Sequence, residues 1–341
     1  MGRVSGRTTK PLIDPFGRTV RDLRISVTDR CNFRCTYCMP EEGMQWLDRS
    51  ELLSFEEIER VARVCVERFD FDGIRLTGGE PTVRAQLPVL VEMLAALRVP
   101  ATGRAVDLAM TTNGATLGLL AGELRRAGLN RINVSCDSLR PERFAQMARR
   151  DQLARVLDGI EAALAAGFSP VKVNVVMMRG VNDDEAVDFA TFGRERRVQP
   201  RFIEFMPLDA DGGWTMDQVV PADETVAAID AVYPLEPVAH GPEPAARYRY
   251  RDGGGEIGVI PSVTRPFCGD CDRVRITAEG KFRTCLFALD EHDLRAVLRN
   301  GGSDGDLALA IEAAVGTKWA GHHIGQVSFV RPPRSMSQIG G

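Results

Sequence analysis

The sequence predicts an α/β protein with a curled, mostly parallel sheet, followed by a smaller α+β region. Between residues 22 and 206, short runs of strand character alternate six times with longer amphipathic runs. Six βα units in series imply a parallel sheet. The strand runs alternate polar and apolar residues, whereas a parallel strand covered by helices on both faces is apolar throughout. One face of the sheet therefore packs on helices, and the other lines a polar space.

The six predicted strands are 23–28, 73–77, 106–112, 131–137, 171–178 and 201–206. The runs between them carry helix-start signals, of which Ser54 with Glu57 has the spacing of a capping box. The alternation places Arg24, Ser135 and Lys172 on the polar face. A lone lysine is more often a solvated surface residue. The valines on the opposite face of its central strand favour the polar lumen for Lys172.

The predicted organisation has three parts: an N-terminal extension (1–21), the partial barrel (22–206) and a C-terminal region (207–341). The second boundary follows a change of composition, because residues 207–222 are rich in Gly, Asp and Pro. Beyond it we expect short strands and two helices.

Bulk composition excludes two classes of protein. The net charge is −4 over 341 residues, which argues against nucleic-acid binding through bulk charge. No apolar run approaches the ~20 residues that span a bilayer, and the N-terminus lacks the apolar stretch of a secretory signal. We therefore expect a cytoplasmic protein without a membrane partner.

A first group of cysteines directly follows the first predicted strand. Its members are Cys31, Cys35 and Cys38, in the pattern CxxxCxxC. Tight cysteine groups in an unsecreted protein favour metal binding over disulfides. Three thiolates on one loop hold three corners of a [4Fe–4S] cube and leave the fourth iron open to a ligand. The alternative is a zinc knuckle, which needs a fourth Cys or His nearby, and the loop contains none.

A second group lies near the other end of the chain. Its members are Cys268, Cys271 and Cys285. A zinc site with His292 or Asp270 as fourth ligand is the alternative to another iron–sulfur cluster. Arg273 and Arg275 follow at strand spacing, so both side chains point the same way. Two guanidinium groups beside an open cluster suit a phosphate-bearing substrate.

Taken together, these motifs make the chain resemble the MoaA-type GTP 3',8-cyclases of the radical SAM superfamily. The resemblance covers residues 11–341. At the N-terminal end it rests on the run from Leu23 to Pro40, in which Tyr37 precedes the last cysteine, and at the C-terminal end on the second cysteine group and Ile339-Gly340-Gly341. The motifs between them are Gly78-Gly79-Glu80-Pro81, Thr111-Thr-Asn-Gly114, Ile132-Asn-Val-Ser135, Val171-Lys-Val-Asn174 and Arg201 through Met206. It implies an enzyme, a lyase, with an incomplete (βα)6 TIM-like barrel and a C-terminal region that carries a second cluster.

The resemblance also implies roles for single residues. Cys31, Cys35 and Cys38 would hold the [4Fe–4S] cluster that binds S-adenosylmethionine (SAM), with Tyr37, Gly79, Ser135 and Met206 around SAM. Cys268, Cys271 and Cys285 would hold a second [4Fe–4S] cluster whose open iron takes the guanine. GTP would lie against Arg24, Arg75, Thr111, Lys172, Arg273, Val274 and Arg275. The residues implied in catalysis are Arg273, Arg275, Gly340 and Gly341, although a terminal Gly-Gly is ordinarily a frayed tail.

The implied reaction is the first step of molybdenum cofactor biosynthesis. A 5'-deoxyadenosyl radical takes hydrogen from C3' of GTP, and the resulting C3' radical attacks C8. A further electron and proton then give 3',8-cyclo-7,8-dihydro-GTP. The implied partners are an electron donor and, for product hand-off, the cyclic pyranopterin monophosphate synthase, with the chain as monomer or homodimer. Two rivals stay open: a radical SAM peptide-modifying enzyme, which usually has more C-terminal cysteines, and a non-catalytic zinc module. Cys65 and Cys136 are expected in the core.

Overall fold

The structure, a computed structural model, describes residues 9–209, 211–239, 241 and 243–340. In this part of the chain the strands are β1 (Leu12–Ile13), β2 (Thr19–Val20), β3 (Asp22–Ser26), β4 (Gly73–Thr77), β5 (Asp107–Thr112), β6 (Arg131–Ser135), β7 (Val171–Met177), β8 (Gln199–Glu204), β9 (Leu235–Val238), β10 (Ala246–Tyr250), β11 (Glu256–Ile260), β12 (Arg273–Ile276), β13 (Lys281–Arg283) and β14 (His292–Asp293).

The helices of the same residues are α1 (Phe55–Phe69), α2 (Leu87–Ala95), α3 (Leu117–Arg126), α4 (Pro141–Ala148), α5 (Leu153–Ala165), α6 (Ala186–Arg196), α7 (Ala222–Asp230), α8 (Leu294–Arg299), α9 (Asp304–Val315) and α10 (Met336–Ile339). Within the described ranges, none is both long and apolar enough to cross a membrane.

One large sheet organises the molecule, with the order β14-β13-β12-β3-β4-β5-β6-β7-β8-β11-β10-β9. Its centre, β3 to β8, consists of the six predicted strands in chain order, all parallel. Two strands of the C-terminal region extend this parallel block: β12 pairs with β3 at one edge and β11 with β8 at the other. The predicted α/β class with a parallel sheet is confirmed, and the C-terminal region supplies both flanks of the sheet.

The strand bounds differ from the predicted ones by up to two residues, for local reasons. The fourth strand was predicted to continue to Asp137 but ends at Ser135. The carboxylate of Asp137 accepts hydrogen bonds from the backbone N–H of Val176 at 2.8 Å and from the hydroxyl of Tyr37 at 2.6 Å. An aspartate that bonds to its surroundings in this way competes with the strand ladder, so the chain turns here.

Helix α1 shows how the apolar strand faces are covered. Ser54 and Glu57 form the predicted capping box, with backbone-to-side-chain hydrogen bonds of 3.2 and 2.8 Å. The helix buries an apolar stripe against the sheet, where Leu23 and Ile25 are fully buried. The expected core positions of Cys65 and Cys136 are confirmed, since both side chains lie in the main core.

The N-terminal extension contains a hairpin that periodicity did not predict, because β1 and β2 have two residues each. Arg18, beside this hairpin, forms an ion pair with Asp14 at 2.5 Å. Its guanidinium also donates to the carbonyl oxygens of Cys268 at 2.5 Å and Ala320 at 2.7 Å. The hairpin therefore holds the loop that carries the second cysteine group.

The chain ends in a segment that we call the C-terminal strap, residues 331–340. Arg331 pairs with Asp209 at 3.1 Å, and Arg334 pairs with Glu279 at 2.6 Å and Glu291 at 2.7 Å. The short helix α10 follows, and its Ile339 is buried in a small apolar cluster. These ion pairs direct the end of the strap toward the polar face of the sheet.

Candidate active site

A cavity of about 480 Å³ lies on the polar face of the sheet. All eight parallel strands contribute to its lining: Arg24 on β3, Arg75 on β4, Thr111 on β5, Ser135 on β6, Lys172 on β7, Ile203 on β8, Ile260 on β11 and Arg275 on β12. Side chains from every strand reach one space only if the sheet curls around it, as the strand-face alternation predicted. The predicted lumen positions of Arg24, Ser135 and Lys172 are confirmed.

The first cysteine group forms one end of this cavity. Its three members, Cys31, Cys35 and Cys38, all line the cavity. The Cys31 sulfur accepts hydrogen bonds from the backbone N–H of Phe33 at 3.3 Å and from the Asn113 amide at 3.9 Å. Burial raises the pKa of the Cys31 thiol to about 11 and, together with repulsion from Cys31, that of Cys38 to about 12. The thiolate forms of these half-buried cysteines are therefore costly without a bound cation, and this donor set fits an iron–sulfur cluster.

Two neighbouring segments fix this cysteine loop. Tyr37 is tied to the end of β6 through its hydroxyl and Asp137, and burial raises the pKa of that carboxyl to about 6. The glycine pair after β4 packs against the loop that leads to the cysteines. A Cβ at Gly79 would strike the backbone oxygens of Asp29 and Arg30. Packing against the cysteine loop alone therefore requires glycine at this position.

The four residues expected around SAM share the cavity with the first cysteine group. Tyr37, Gly79, Ser135 and Met206 all line the cavity. They come from four separate segments, so only the fold brings them together.

The lining is also rich in arginine and lysine, which outnumber the aspartates Asp22, Asp107 and Asp272 beside them. Burial, with repulsion from Arg273, lowers the pKa of Arg24 to about 9, and burial lowers that of Arg75 to about 10. Burial, with repulsion from Arg201, lowers the pKa of Lys172 to about 8. Among the described residues, no protein atom accepts a hydrogen bond from Nε of Arg24, Arg75 or Arg273. Buried donors without partners carry a high desolvation cost, so this surface fits a polyanionic ligand.

The site residues expected from the sequence leave out several residues that line the cavity. Arg131, Asn133, Asn174 and Arg201 also face the cavity. The strand pairings set Asn133 beside Lys172 and Asn174 beside Arg201. The alternation that places Lys172 on the polar face also places Asn174 there, because it lies two residues along the same strand.

Of the residues expected to contact GTP, Thr111 faces the cavity and Val274 does not. Thr111 lines the cavity, whereas the side chain of Val274 is fully buried in the core. The alternation of β12 explains this result, since Arg273 and Arg275 face the cavity on either side. Only the backbone of Val274 remains for contact with a ligand.

The second cysteine group flanks the same cavity. Its sequence neighbours Phe267, Asp272 and Leu286 belong to the lining. A short 3-10 turn begins at Cys268, and the Cys285 sulfur accepts the backbone N–H of Phe287 at 3.4 Å. Of the two ligands considered for zinc, His292 contacts Thr317 instead, at 3.3 Å. Over the described ranges, no three His, Cys, Asp or Glu side chains are grouped to hold a single metal ion.

The strap brings the chain end between the two cysteine groups. The carbonyl oxygen of Gly340 accepts a hydrogen bond from the Arg275 guanidinium. Ser337 donates to the carbonyl oxygen of Cys38 at 3.4 Å. Gly340 has a φ of +75° and lies against Ser26 and Thr77. Gly341 lies outside the described residues.

Comparison with known protein families gives two matches that together span most of the chain. Residues 25–193 match the Radical SAM superfamily, and residues 198–324 match Molybdenum Cofactor Synthesis C. The chain is 47% identical to a GTP 3',8-cyclase from Streptomyces coelicolor, over 97% of this chain and 96% of the relative. It is 48% identical to one from Acidothermus cellulolyticus, over 92% and 86%.

Among solved structures, the chain is similar to Streptococcus suis SuiB bound to S-adenosylmethionine. The TM-score is 0.55 at 13% identity, covering 82% of this chain and 65% of SuiB. At this level of identity the likeness concerns the fold alone.

Proposed function

The chain belongs to the GTP 3',8-cyclase family of radical SAM enzymes, and on that premise we propose how its cavity divides between SAM and GTP. It is an enzyme of molybdenum cofactor biosynthesis and converts GTP to (8S)-3',8-cyclo-7,8-dihydroguanosine 5'-triphosphate. Its cofactors are SAM and [4Fe–4S] clusters. The proposal concerns the residues that serve each ligand.

We assign the cysteine end of the cavity to SAM. Cys31, Cys35 and Cys38 would hold the first cluster, and the groups beside them would hold SAM. When bound, that cluster and SAM supply the 5'-deoxyadenosyl radical that takes hydrogen from C3' of GTP. Support comes from the three thiols and the four expected SAM residues, Tyr37, Gly79, Ser135 and Met206, around one part of the cavity.

We assign the cationic part to the triphosphate of GTP. The observation that carries this assignment is that the buried Nε atoms of Arg24, Arg75 and Arg273 donate no hydrogen bond within the described chain. Arg24 and Arg273 have only longer ion pairs of 3.8 Å, with Asp22 and Asp272. A triphosphate would satisfy these donors and relieve their mutual repulsion. Lys172 and Arg201, on the same surface, would add two further charges.

Arg275 and the terminal glycines, Gly340 and Gly341, would act nearer to the reacting atoms of GTP and SAM than the residues that bind the triphosphate. Because Arg275 donates to the Gly340 carbonyl, the seated strap reduces access of water to the space between the ligands. Exclusion of water protects a reactive radical from quenching. The second cysteine group, Cys268, Cys271 and Cys285, would hold the second cluster, whose open iron would bind the guanine.

The remaining parts of the proposal concern partners. We propose an external electron donor and direct hand-off of the product to the cyclic pyranopterin monophosphate synthase. We further propose a monomer or homodimer and a cytoplasmic location. The three-part division of the chain at residues 21 and 206 is likewise a proposal.

The test separates the two ligands. Arg273→Ala and Arg275→Ala should each weaken GTP binding by at least about tenfold, since each removes charge-assisted hydrogen bonds of about 1.5–3 kcal/mol. SAM cleavage to 5'-deoxyadenosine should remain measurable in both variants. Arg249→Ala, on the exposed side of β10, is the matched control and should behave as wild type. Iron contents below wild type in the two cavity variants would indicate a folding role and contradict the assignment.

A further inference from the structure

A buried lysine lies beside the second cysteine group. Lys318 is one of only four lysines in the chain, and it is 3% exposed. Its ammonium donates to the backbone carbonyl oxygens of Arg273 and Thr284, both at 2.7 Å. Arg273 follows Cys271 by two residues, and Thr284 directly precedes Cys285. One ammonium group therefore joins the two chain segments that carry these cysteines.

The third contact of this ammonium is a sulfur. Nζ of Lys318 lies 3.8 Å from the Cys271 sulfur. Within the described residues its hydrogen-bond partners are thus two neutral carbonyls and one thiol, without a carboxylate. A buried cation is costly unless an anion compensates it. The anion that this position offers is the thiolate of a metal-bound cysteine.

The residues after Lys318 cover the same cysteine group. A Cβ at Gly321 would come within 2.8 Å of the Cβ and 3.2 Å of the sulfur of Cys268, so the backbone there is pressed against this cysteine. The ring of His322, the next residue, packs on the ring of Phe287 at 4.9 Å between centroids. Residues 318–322 therefore pack over this cysteine group and form a cap.

We propose that Lys318 is a positioning residue of the second cluster, which fixes its ligand segments and compensates its negative charge. This inference rests on the proposed assignment of Cys268, Cys271 and Cys285 to that cluster. The added electron of a reduced cluster increases its negative charge, so a nearby ammonium favours the reduced state. Lys318 would thereby raise the reduction potential of this cluster relative to a neutral side chain.

Two substitutions separate charge from packing. Lys318→Met keeps the length and the apolar stem but removes the charge and all three donors. Lys318→Arg keeps the charge. Lys281→Met is the matched control, because Lys281 lies on β13 in the same region but pairs at the surface with Asp293 at 2.6 Å.

The measurement is an anaerobic redox titration of the holoenzyme, followed by electron paramagnetic resonance, with iron and sulfide analysis. The first cluster is identified by its spectral change on addition of SAM, and the second by insensitivity to SAM. At a fixed potential, we expect Lys318→Met to lower the ratio of reduced to oxidised second cluster about tenfold. This corresponds to a reduction potential about 59 mV lower for a one-electron couple. Lys318→Arg and Lys281→Met should stay within about threefold of wild type.

Loss of the second cluster in Lys318→Met alone, with about four irons instead of about eight, would also support the inference, provided that Lys318→Arg retains both clusters. A second cluster with unchanged potential in Lys318→Met would overturn it. So would its equal loss in Lys318→Met and Lys318→Arg, because charge would then be irrelevant. Wild-type protein with only about four irons would instead refute the proposed second cluster itself.

Discussion

Substitution of Gly340 by alanine is a sharp test of the strap. In the structure this residue has a φ of +75°, and a Cβ there would strike the side-chain oxygens of Ser26 and Thr77. Both side chains are buried, and the Thr77 hydroxyl donates to the carbonyl oxygen of Ile25 at 3.3 Å, so a steric clash would add to the backbone strain. The variant should therefore weaken seating of the strap without disturbing the cysteine groups.

The magnitude follows from the backbone conformation. A non-glycine residue held at positive φ costs about 1–3 kcal/mol. Every 1.4 kcal/mol is a factor of about ten in an equilibrium. The backbone strain alone should therefore lower the ratio of seated to unseated strap by about five- to a hundredfold, and the clash of the added methyl group should lower it further. Loss of the Arg275 contact to the Gly340 carbonyl accompanies the unseated state.

The assay compares two products in the same anaerobic reaction with GTP, SAM and reductant. The ratio of cyclised nucleotide to 5'-deoxyadenosine should fall at least about tenfold in Gly340→Ala. SAM cleavage itself should change less, because the residues expected around SAM are untouched.

The matched control is Gly301→Ala. Gly301 has nearly the same φ, +78°, but no neighbour within 4 Å of an added Cβ. This variant should lose some stability and keep the wild-type product ratio. An unchanged ratio in Gly340→Ala, or an equal loss in Gly301→Ala, would refute the role of the seated strap.

Three further predictions concern the cavity and its scaffold. Because burial lowers the pKa of Lys172 to about 8, its ammonium group loses its charge above that pH. The affinity for GTP, measured by anaerobic calorimetry, should therefore weaken from pH 7 to pH 9. In Lys172→Arg the affinity should change less with pH. Arg201→Ala should weaken GTP binding about tenfold or more and leave guanosine binding unchanged, since it removes a phosphate contact; equal losses for both ligands would contradict this. Glu204 is a buried carboxylate that accepts three hydrogen bonds from backbone N–H groups at 2.8–2.9 Å. Glu204→Gln should therefore lower the free energy of unfolding, measured by denaturant titration, by about 2–3 kcal/mol. Glu236→Gln, at an exposed position, is the control and should change it by less than about 0.5 kcal/mol.

The parallel core and much of the site were predictable because they follow from local patterns. The polar and apolar alternation of six strands gave both their parallel order and the lumen positions of Arg24, Ser135 and Lys172. The spacing of the cysteines indicated the metal chemistry. Each of these patterns lies within a single short segment, so it can be recognised without knowledge of the tertiary structure.

The long-range pairings were not predictable in the same way. No local pattern indicates that β12 pairs with β3, since the paired residues Arg24 and Arg275 are far apart in the chain. The contact of Arg18 with Cys268, 250 positions away, has no local signal either. The cap over the second cysteine group was missed for this reason. Lys318 gave a compositional hint as a rare lysine, but only the fold places it beside Cys271.

The most direct test of the shared cavity uses GTP labelled with deuterium at C3'. If SAM binds at the first cysteine group and GTP at the cationic surface of the same space, the label should appear in 5'-deoxyadenosine during turnover. Unlabelled 5'-deoxyadenosine formed alongside cyclised product would contradict this account, because the radical would then never meet the C3' hydrogen of GTP.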